Sequence, residues 1–576
     1  MKRIFFVAAI AALALVSSCT KEKPIDGTDP EAKGLADGSM TYATFNFRFS
    51  SGPVGGKSIA QPVGLATGDD VINNVRLLVF RNTTASTLCE VNDYISSSDG
   101  EWTTSTTTSA NQSRTVLVSS GPKKIFVITG VSDASSGVKT RLNNKLNSVI
   151  VDGTTLAQFY TLMQEFQIGA DGVITDYPYP VTPPNVPDVA TFDAATFEQA
   201  TFGGLKELIT NDYVLSSAAD ASAAKTLIGG VTKEDSRDNE GDASKNNFIF
   251  NVYRTVARVK VSYASATALT TTDELGKLSS VAGDLKYGMR NLNRQVNIFP
   301  WFGNDNLAPG AWPQAPFYNT FAGWSVANKE YKENFRGFYY NGYLVDQNVT
   351  EKNSPAWTAA PFVIVTENTN ATPLIGNSTY ARIDAIFLPA AGKVITGFTY
   401  DNVNQRFGTG ANAATVSASD ITTPQTFYKL KVENANTTSG GASYAANLPA
   451  VLFTDKELAY KAAFCIEHGT DVGFVYGGGS GYVPSSTYLV EYTGGACYYR
   501  LNIGEDVMVG AVKVGVKYGV QRNYSYSANI TAFNTLGVSD PGELEDGPEI
   551  EIGEMTHVTA VINVVVWTEV NQNEPV

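Results

Sequence analysis

The chain has 576 residues, too many for one hydrophobic core, so two or more domains are expected. Aromatic residues reach 11%, with 28 Tyr and 29 Phe, charged residues only 17%, and Gly, Ser, Thr and Asn are abundant. That is the make-up of an all-β extracellular protein, with β-branched and aromatic strands joined by turns. The net charge of −14 comes with no Lys or Arg block. Nucleic-acid binding therefore lacks an electrostatic footprint, and the charge reads as solubility.

Met1-Lys2-Arg3 is followed by an apolar run from Ile4 to Val16 and then by Ser17-Ser18-Cys19. Two cations before a short apolar stretch ending in small residues form a bacterial export signal. The run is too short to span a membrane, which needs about 18–20 apolar residues. Val16-Ser17-Ser18-Cys19 fits a lipobox, in which the Cys19 thiol is acylated and becomes the new N-terminus. Residues 1–19 are thus expected to be a lipoprotein signal peptide. Export in this form argues against ATP-driven, nucleotide-handling and DNA-binding roles.

Thr20 to Asp37 is polar and reads as a tether. From Met40, Ala43, Phe45, Phe47 and Phe49 share one face, with Tyr42, Thr44, Asn46 and Arg48 on the other. Period two predicts a half-buried strand. Ser50 to Lys57 is a Gly-rich loop. Val75–Phe80 and Lys124–Thr129 are predicted strands, separated by a Ser/Thr-rich loop over Ser96–Ser113. Leu156, Phe159, Tyr160, Met163 and Phe166 recur at helical spacing and predict a helix covering a sheet. Phe248–Arg254 and Val256–Val261 predict a strand pair or one bent strand. The Thr/Ala/Ser-rich stretch Ala264–Ser280 marks the expected domain boundary. Further strands are predicted at Leu285–Val296, Tyr380–Phe387, Phe427–Val432, Val472–Tyr476, Ala496–Ile503 and Asn523–Ile530. Asp540–Glu554 reads as an exposed acidic linker. Beyond it Val558, Ala560, Ile562, Val564 and Val566 lie on one face of a terminal strand, with His557, Thr559, Val561, Asn563, Val565 and Trp567 on the other.

Chemistry is sparsely represented. Ser51-Gly52-Pro53-Val54-Gly55-Gly56-Lys57-Ser58 approaches a phosphate-binding loop. It has Ser51 where the motif needs Gly, and Gln61-Pro62 follows where a helix should begin. The match is rejected. Cys465 and His468 lie close enough for a Cys–His dyad, but their spacing reads better as a strand end before a hairpin loop. Only His468 and His557 exist, with no zinc-binding spacing. No catalytic, cofactor or metal residue is assigned. After Cys19 the cysteines are Cys89, Cys465 and Cys497, an odd number that gives no disulfide framework and supports a Cys465–Cys497 pair only weakly.

Several segments in order resemble the fimbrillins of Bacteroidales, subunits of type V pili, and among them the major subunit of Mfa-type minor fimbriae. They are the lipobox, Met40–Phe49 with its loop, Asn74–Phe80, Gly121–Val127, Arg254-Thr255-Val256-Ala257-Arg258-Val259, Tyr498–Asn502, Val520–Tyr524, Leu536-Gly537 and Val564–Trp567. The resemblance implies two tandem β-sandwich domains of transthyretin-like type with a few short helices, and no enzymatic activity. The expected division is 20–57 tether and removable strand, 58–265 N-terminal sandwich, 266–540 C-terminal sandwich, and 541–576 linker and donor strand. It also implies an assembly route. The precursor reaches the outer membrane as a lipoprotein. A processing protease then cuts after the first strand, and the groove left by Ala43, Phe45, Phe47 and Phe49 accepts another copy's Val558, Ala560, Ile562, Val564, Val566 and Trp567. The family's cleavage follows an Arg, whereas the loop here offers Lys57-Ser58. Arg48 is the alternative, set within the strand.

Removing three phenylalanines from a sandwich would open an apolar groove between unpaired strands, and an incoming strand would restore both ladder and packing. The expected role is a shaft subunit of a surface fimbria, with other copies and accessory fimbrillins as partners. An accessory tip or anchor fimbrillin, or a lipid-anchored glycan-binding adhesin, are the alternatives. A surface hydrolase ranks last.

Overall fold

The computed structural model describes residues 39–49, 74–81, 89–96, 103–104, 112–129, 166–169, 174–176, 209–211, 224–238, 241–254, 256–281, 284–290, 295–297, 350–351, 363–366, 368–369, 373–375, 378–408, 414–431, 448, 450–477, 479–509, 512–545, 552 and 558–566. Within them the chain is built mainly of strands, as its composition predicts. No helix among them is long and apolar enough to cross a membrane.

The first sheet is formed by β1 (Met40–Phe49), β2 (Asn74–Arg81), β3 (Cys89–Ser96), β4 (Gln112–Ser119), β5 (Gly121–Thr129), β6 (Ile209–Asn211) and β7 (Asn247–Arg254). Their order is β3-β2-β5-β6-β7-β1-β4, so β1 is an interior strand. Ala43, Phe45 and Phe47 of β1 share one core with Val75, Leu77 and Val79 of β2, four places away along the sheet. The sheet therefore closes over its own apolar face.

β2 also explains its unbroken apolar run. Val75, Leu77 and Val79 point into the first core, whereas Leu78 and Phe80 point into a second one, together with Phe126 and Ile128 of β5. Phe80 and Phe126 meet edge to face at 5.6 Å. A strand buried on both faces has no polar alternation to show.

At the rim of this sheet Lys123 is buried, with Nζ 2.9 Å from Glu90 Oε2 and donating to Ser119 Oγ at 2.6 Å. Arg81 pairs with the same carboxylate. Burial pushes the Glu90 carboxyl up, but hydrogen bonds from Ser119, Lys123 and Arg81 outweigh it and hold it below the usual range.

The second core lies between two further groups of strands. One is β8 (Val256–Tyr263), β10 (Val363–Thr366), β13 (Tyr524–Phe533) and β14 (Val558–Val566), in the order β10-β8-β13-β14, with β8 and β13 parallel. The other contains β9 (Leu285–Arg290), β11 (Tyr380–Pro389) and β12 (Ala496–Asn502), with β11 pairing both others. Val259, Val261, Tyr526 and Ala528 from the first group share a core with Tyr287, Ile383, Tyr499 and Leu501 from the second. Two sheets meeting face to face over one core form a sandwich.

The segment 248–261 is not one paired unit. β7 belongs to the first sheet and β8 to the second, so the chain changes sheet between Arg254 and Val256. Asn523 braces this crossing: its N–H donates to Val256 O at 2.8 Å and its Oδ1 accepts from Arg254 N at 3.2 Å. The expected boundary stretch Ala264–Ser280 lies past the crossing. It holds a single 3-10 turn, Ala266–Leu269, and a short strand, Gly276–Leu278, paired with β11.

A further, five-stranded sheet is assembled from short strands between Val394 and Tyr492 and is covered by a helix, Lys456–His468. The sequence reading took the Cys465–His468 end as a strand. The helix has its own local signals instead. Asp455 caps it, accepting from Leu458 N at 2.9 Å, and Gly469 ends it at φ 68°. Ala459, Ala462, Ala463, Cys465 and Ile466 form its buried stripe. The strand expected at Val472–Tyr476 is a turn and irregular chain. The helix expected over residues 154–166 lies outside the described residues except at Phe166, which begins a strand, Phe166–Gly169.

Candidate functional site

β1 runs parallel to β7, from Thr44 opposite Asn247 to Phe49 opposite Val252, and antiparallel to β4, from Met40 opposite Ser119 to Phe47 opposite Gln112. Its inner face follows the predicted alternation, with Ala43, Phe45 and Phe47 all fully buried. Phe45 stacks on Phe248 at 6.3 Å and meets Phe250 at 5.9 Å.

The other face departs from expectation. Thr44 and Asn46, read as solvent-facing, are buried as well. Residues 228–238, including the short helix Lys233–Asp238, and 241–247 fold over them and supply polar partners. Thr44 Oγ1 lies 2.7 Å from Ser236 Oγ and 2.9 Å from Thr115 Oγ1. Asn46 Nδ2 donates to Asn247 Oδ1 at 2.6 Å and to Phe248 O at 3.1 Å. Asn246 sits in the left-handed region at φ 52°, and its Nδ2 donates to Tyr42 O at 3.0 Å, Thr41 Oγ1 at 3.1 Å and Ile228 O at 2.7 Å. Thr44 N in turn donates to Asn246 O at 2.8 Å. Asparagine tolerates this backbone conformation, and its short amide reaches neighbouring main chain. β1 thus occupies a slot that is apolar on one side and hydrogen-bonding on the other. An Asn in mid-strand, where Asn is disfavoured, was the available sequence signal for the polar side.

Arg48 lies within β1, in register with Asn251. Cys19, Lys57, Ser58 and the phosphate-loop-like segment 51–58 fall outside the described residues, as do the side chains of Arg48 and Phe49.

The terminal strand is β14, antiparallel to β13 with Val558 opposite Phe533 and Val566 opposite Tyr524. It forms the edge of its sheet. Val558 is buried, and Ala560 and Ile562 pack against the second core, whereas Thr559 is exposed and Val561 is 53% exposed. Over Val558–Ile562 the alternation is as predicted. In this chain, however, the strand lies on its own body. The backbone of Val564 and Val566 continues the ladder, while Trp567 lies outside the described residues. The preceding acidic stretch is partly docked rather than wholly exposed. Leu544 is buried in the turn Pro541–Glu545, and Arg500 Nη1 donates to Leu544 O at 3.1 Å.

Cys465 and His468 do not form a reactive pair. Cys465 is buried beneath the helix, and burial pushes its thiol up to about 12. His468 is exposed and stacks on Phe464 at 4.2 Å. Cys89, Cys465 and Cys497 are all free thiols, and the last two lie in different cores, so the weakly supported Cys465–Cys497 pair does not form. Among the described residues no cluster of three or more His, Cys, Asp or Glu could hold a metal.

Residues 490–573, which include β12, β13 and β14, match the family model of the major fimbrial subunit protein type IV, fimbrillin, C-terminal. That segment is similar to the C-terminal part of fimbrillins. Among solved structures, this fimbrillin-like chain is similar to a fimbrilin, FimA, from Porphyromonas gingivalis W83, at 16% identity and TM-score 0.38, covering 92% of this chain and 99% of that one. It is also similar to the tip fimbrial protein Mfa3 from Porphyromonas gingivalis, at 11% identity and TM-score 0.32, covering 92% and 100%. Both scores are too low to equate the folds. No curated protein sequence matches the chain.

Proposed function

We propose that this fimbrillin-like chain is a shaft subunit of a cell-surface fimbria, supports adhesion, and polymerises by strand exchange. The observation that carries the reading is the contrast between β1, an interior strand in a slot with partners on every side, and β14, an apolar strand at a sheet edge. Although Asn247 Oδ1 keeps Gly241 N and Asn246 Nδ2 keeps Ile228 O, loss of β1 would take the Asn46 donor from Phe248 O and leave the facing backbone groups of β7 and β4 unpaired in mid-sheet. Buried groups in that state cost about 1–3 kcal/mol each, which drives capture of a replacement strand. An edge strand has only one ladder to give up. The chain with β1 in place then represents the unpolymerised precursor, its slot filled by β1 and its tail resting on β13.

In this reading Cys19 carries the lipid that holds the precursor at the outer membrane, and a protease cuts between Lys57 and Ser58. The domains divide between Arg254 and Val256, where the chain changes sheet. The other copies in the fibre, accessory fimbrillins and the processing protease are its partners.

The test is N-terminal sequencing of protein shed from the surface of producing cells, with electron microscopy of the same material. Fibres whose subunits begin at Ser58 are expected. A monomer that keeps an acylated Cys19 in every molecule, with no fibres present, would overturn the proposal.

A further inference from the structure

The slot around β1 sets conditions on any replacement, and the polar side is the more selective. Above the apolar floor it offers one amide acceptor pair, Asn247 Oδ1 and Phe248 O, both served by Asn46 Nδ2, with Gly241 N a second donor to Asn247 Oδ1 at 2.8 Å. Two positions earlier it offers a hydroxyl pair, Ser236 and Thr115, around Thr44. On the floor, Ala43 stands in the row that Phe45 and Phe47 continue. A strand that fits needs an Asn flanked by apolar residues at one and three positions on either side, with a small residue at the third position before it.

Within residues 551–576, Asn563 meets these conditions. Its flanks are Ile562 and Val564, then Ala560 and Val566. Asn571 has Gln572 beside it and Thr568 three positions before it, and Asn573 lies between Gln572 and Glu574. Setting Asn563 on Asn46 in the direction of β1 brings Ala560 onto Ala43, Ile562 onto Phe45, Val564 onto Phe47, Val566 onto Phe49 and Val561 onto Thr44. Reversing the strand would put Val566 on Ala43 instead.

Resting on the strand-exchange reading above, we infer that a second copy's residues 558–566 enter the slot parallel to β7, with Asn563 taking the place of Asn46 and Ala560 that of Ala43. Asn563 is the residue that fixes register, because a slip by two presents Val561 or Val565, neither of which carries an amide donor, to this acceptor pair. A single polar residue in an apolar seam setting register is a known device of helical assemblies, and the physics carries over to strands. Val561 matches Thr44 in shape but lacks its hydroxyl. It is 53% exposed on β14, so a change there leaves the precursor's own packing nearly untouched.

The test uses fibres recovered from producing cells. Thr44 and Thr115 are cross-strand partners, so Val561→Cys combined with Thr115→Cys is expected to give reductant-sensitive covalent ladders on non-reducing gels. If fibres form and the ladders arise instead from Thr559→Cys or Asn563→Cys with Thr115→Cys, exchange stands and this register falls. If fibres form and no pair cross-links, the exchange reading falls with it. Independently of cross-linking, Asn563→Asp, which opposes a carboxylate to Asn247 Oδ1 and Phe248 O, is expected to lower the dissociation resistance of fibres by about tenfold or more. Val561→Thr, which restores the hydroxyl, is expected to raise it. Asn563→Asp fibres as resistant as the parent would overturn the assignment even if every cysteine variant failed to assemble.

Discussion

The first strand and the last share one pattern, apolar residues on alternate positions, yet they are held in different ways. β1 has a strand on each side, an apolar floor of Phe248 and Phe250, and a polar roof from residues 228–238 and 241–247. β14 has one neighbour, β13, and an exposed outer face at Thr559 and Val561. The difference shows that apolar alternation alone does not say how firmly a strand is bound; the number of faces and edges it satisfies does.

The strongest way to break the comparison is to empty the slot from within. Phe47→Ala in the chain that retains β1 is expected to cost about 3–5 kcal/mol, measured by denaturant unfolding, because Phe47 is fully buried in the first core. A loss under 1 kcal/mol would mean that β1 is not held as described. Asn246→Ala should come next, at about 2–4 kcal/mol. It removes hydrogen bonds to β1 and places Ala at φ 52°. On the terminal strand, Val558→Ala is expected to cost about 2 kcal/mol, less than Phe47→Ala. Equal losses at the two strands would erase the contrast.

Acid sharpens it further. Glu90 is held below the usual carboxylate range, so its contribution to the first sheet is present above the ordinary Glu pKa and is lost as pH falls through the folded value. Amide exchange in β2 and β3 should accelerate on acidification, and Glu90→Gln should remove that part of the pH dependence. The smallest effect is expected at Val561→Thr, within about 0.5 kcal/mol for the unpolymerised chain, because the side chain lies on the exposed face of an edge strand.

Much of the strand pattern could be read without a structure. The inner faces Ala43–Phe45–Phe47 and Val558–Ala560–Ile562 were assigned from period two alone and are the buried faces. The helix Lys456–His468 carries its own punctuation in Asp455 and Gly469, but the Gly-rich stretch that follows makes its Cys465–His468 end resemble a strand before a hairpin loop. The outer face of β1 was misread for a deeper reason. Thr44 and Asn46 look like solvent-facing residues until Ser236, Asn246 and Asn247 arrive from about two hundred residues later.

Side-chain alternation is a property of neighbouring residues, so the amino-acid order by itself determined that this is a strand-built chain and which face of each end strand is apolar. The choice of neighbours is a property of the whole chain. Only the tertiary structure decided that β1 lies inside a sheet and β14 at an edge, and that the chain changes sheet between Arg254 and Val256. Polar groups reveal whether they face water or a partner only when the distant segment that buries them is in place.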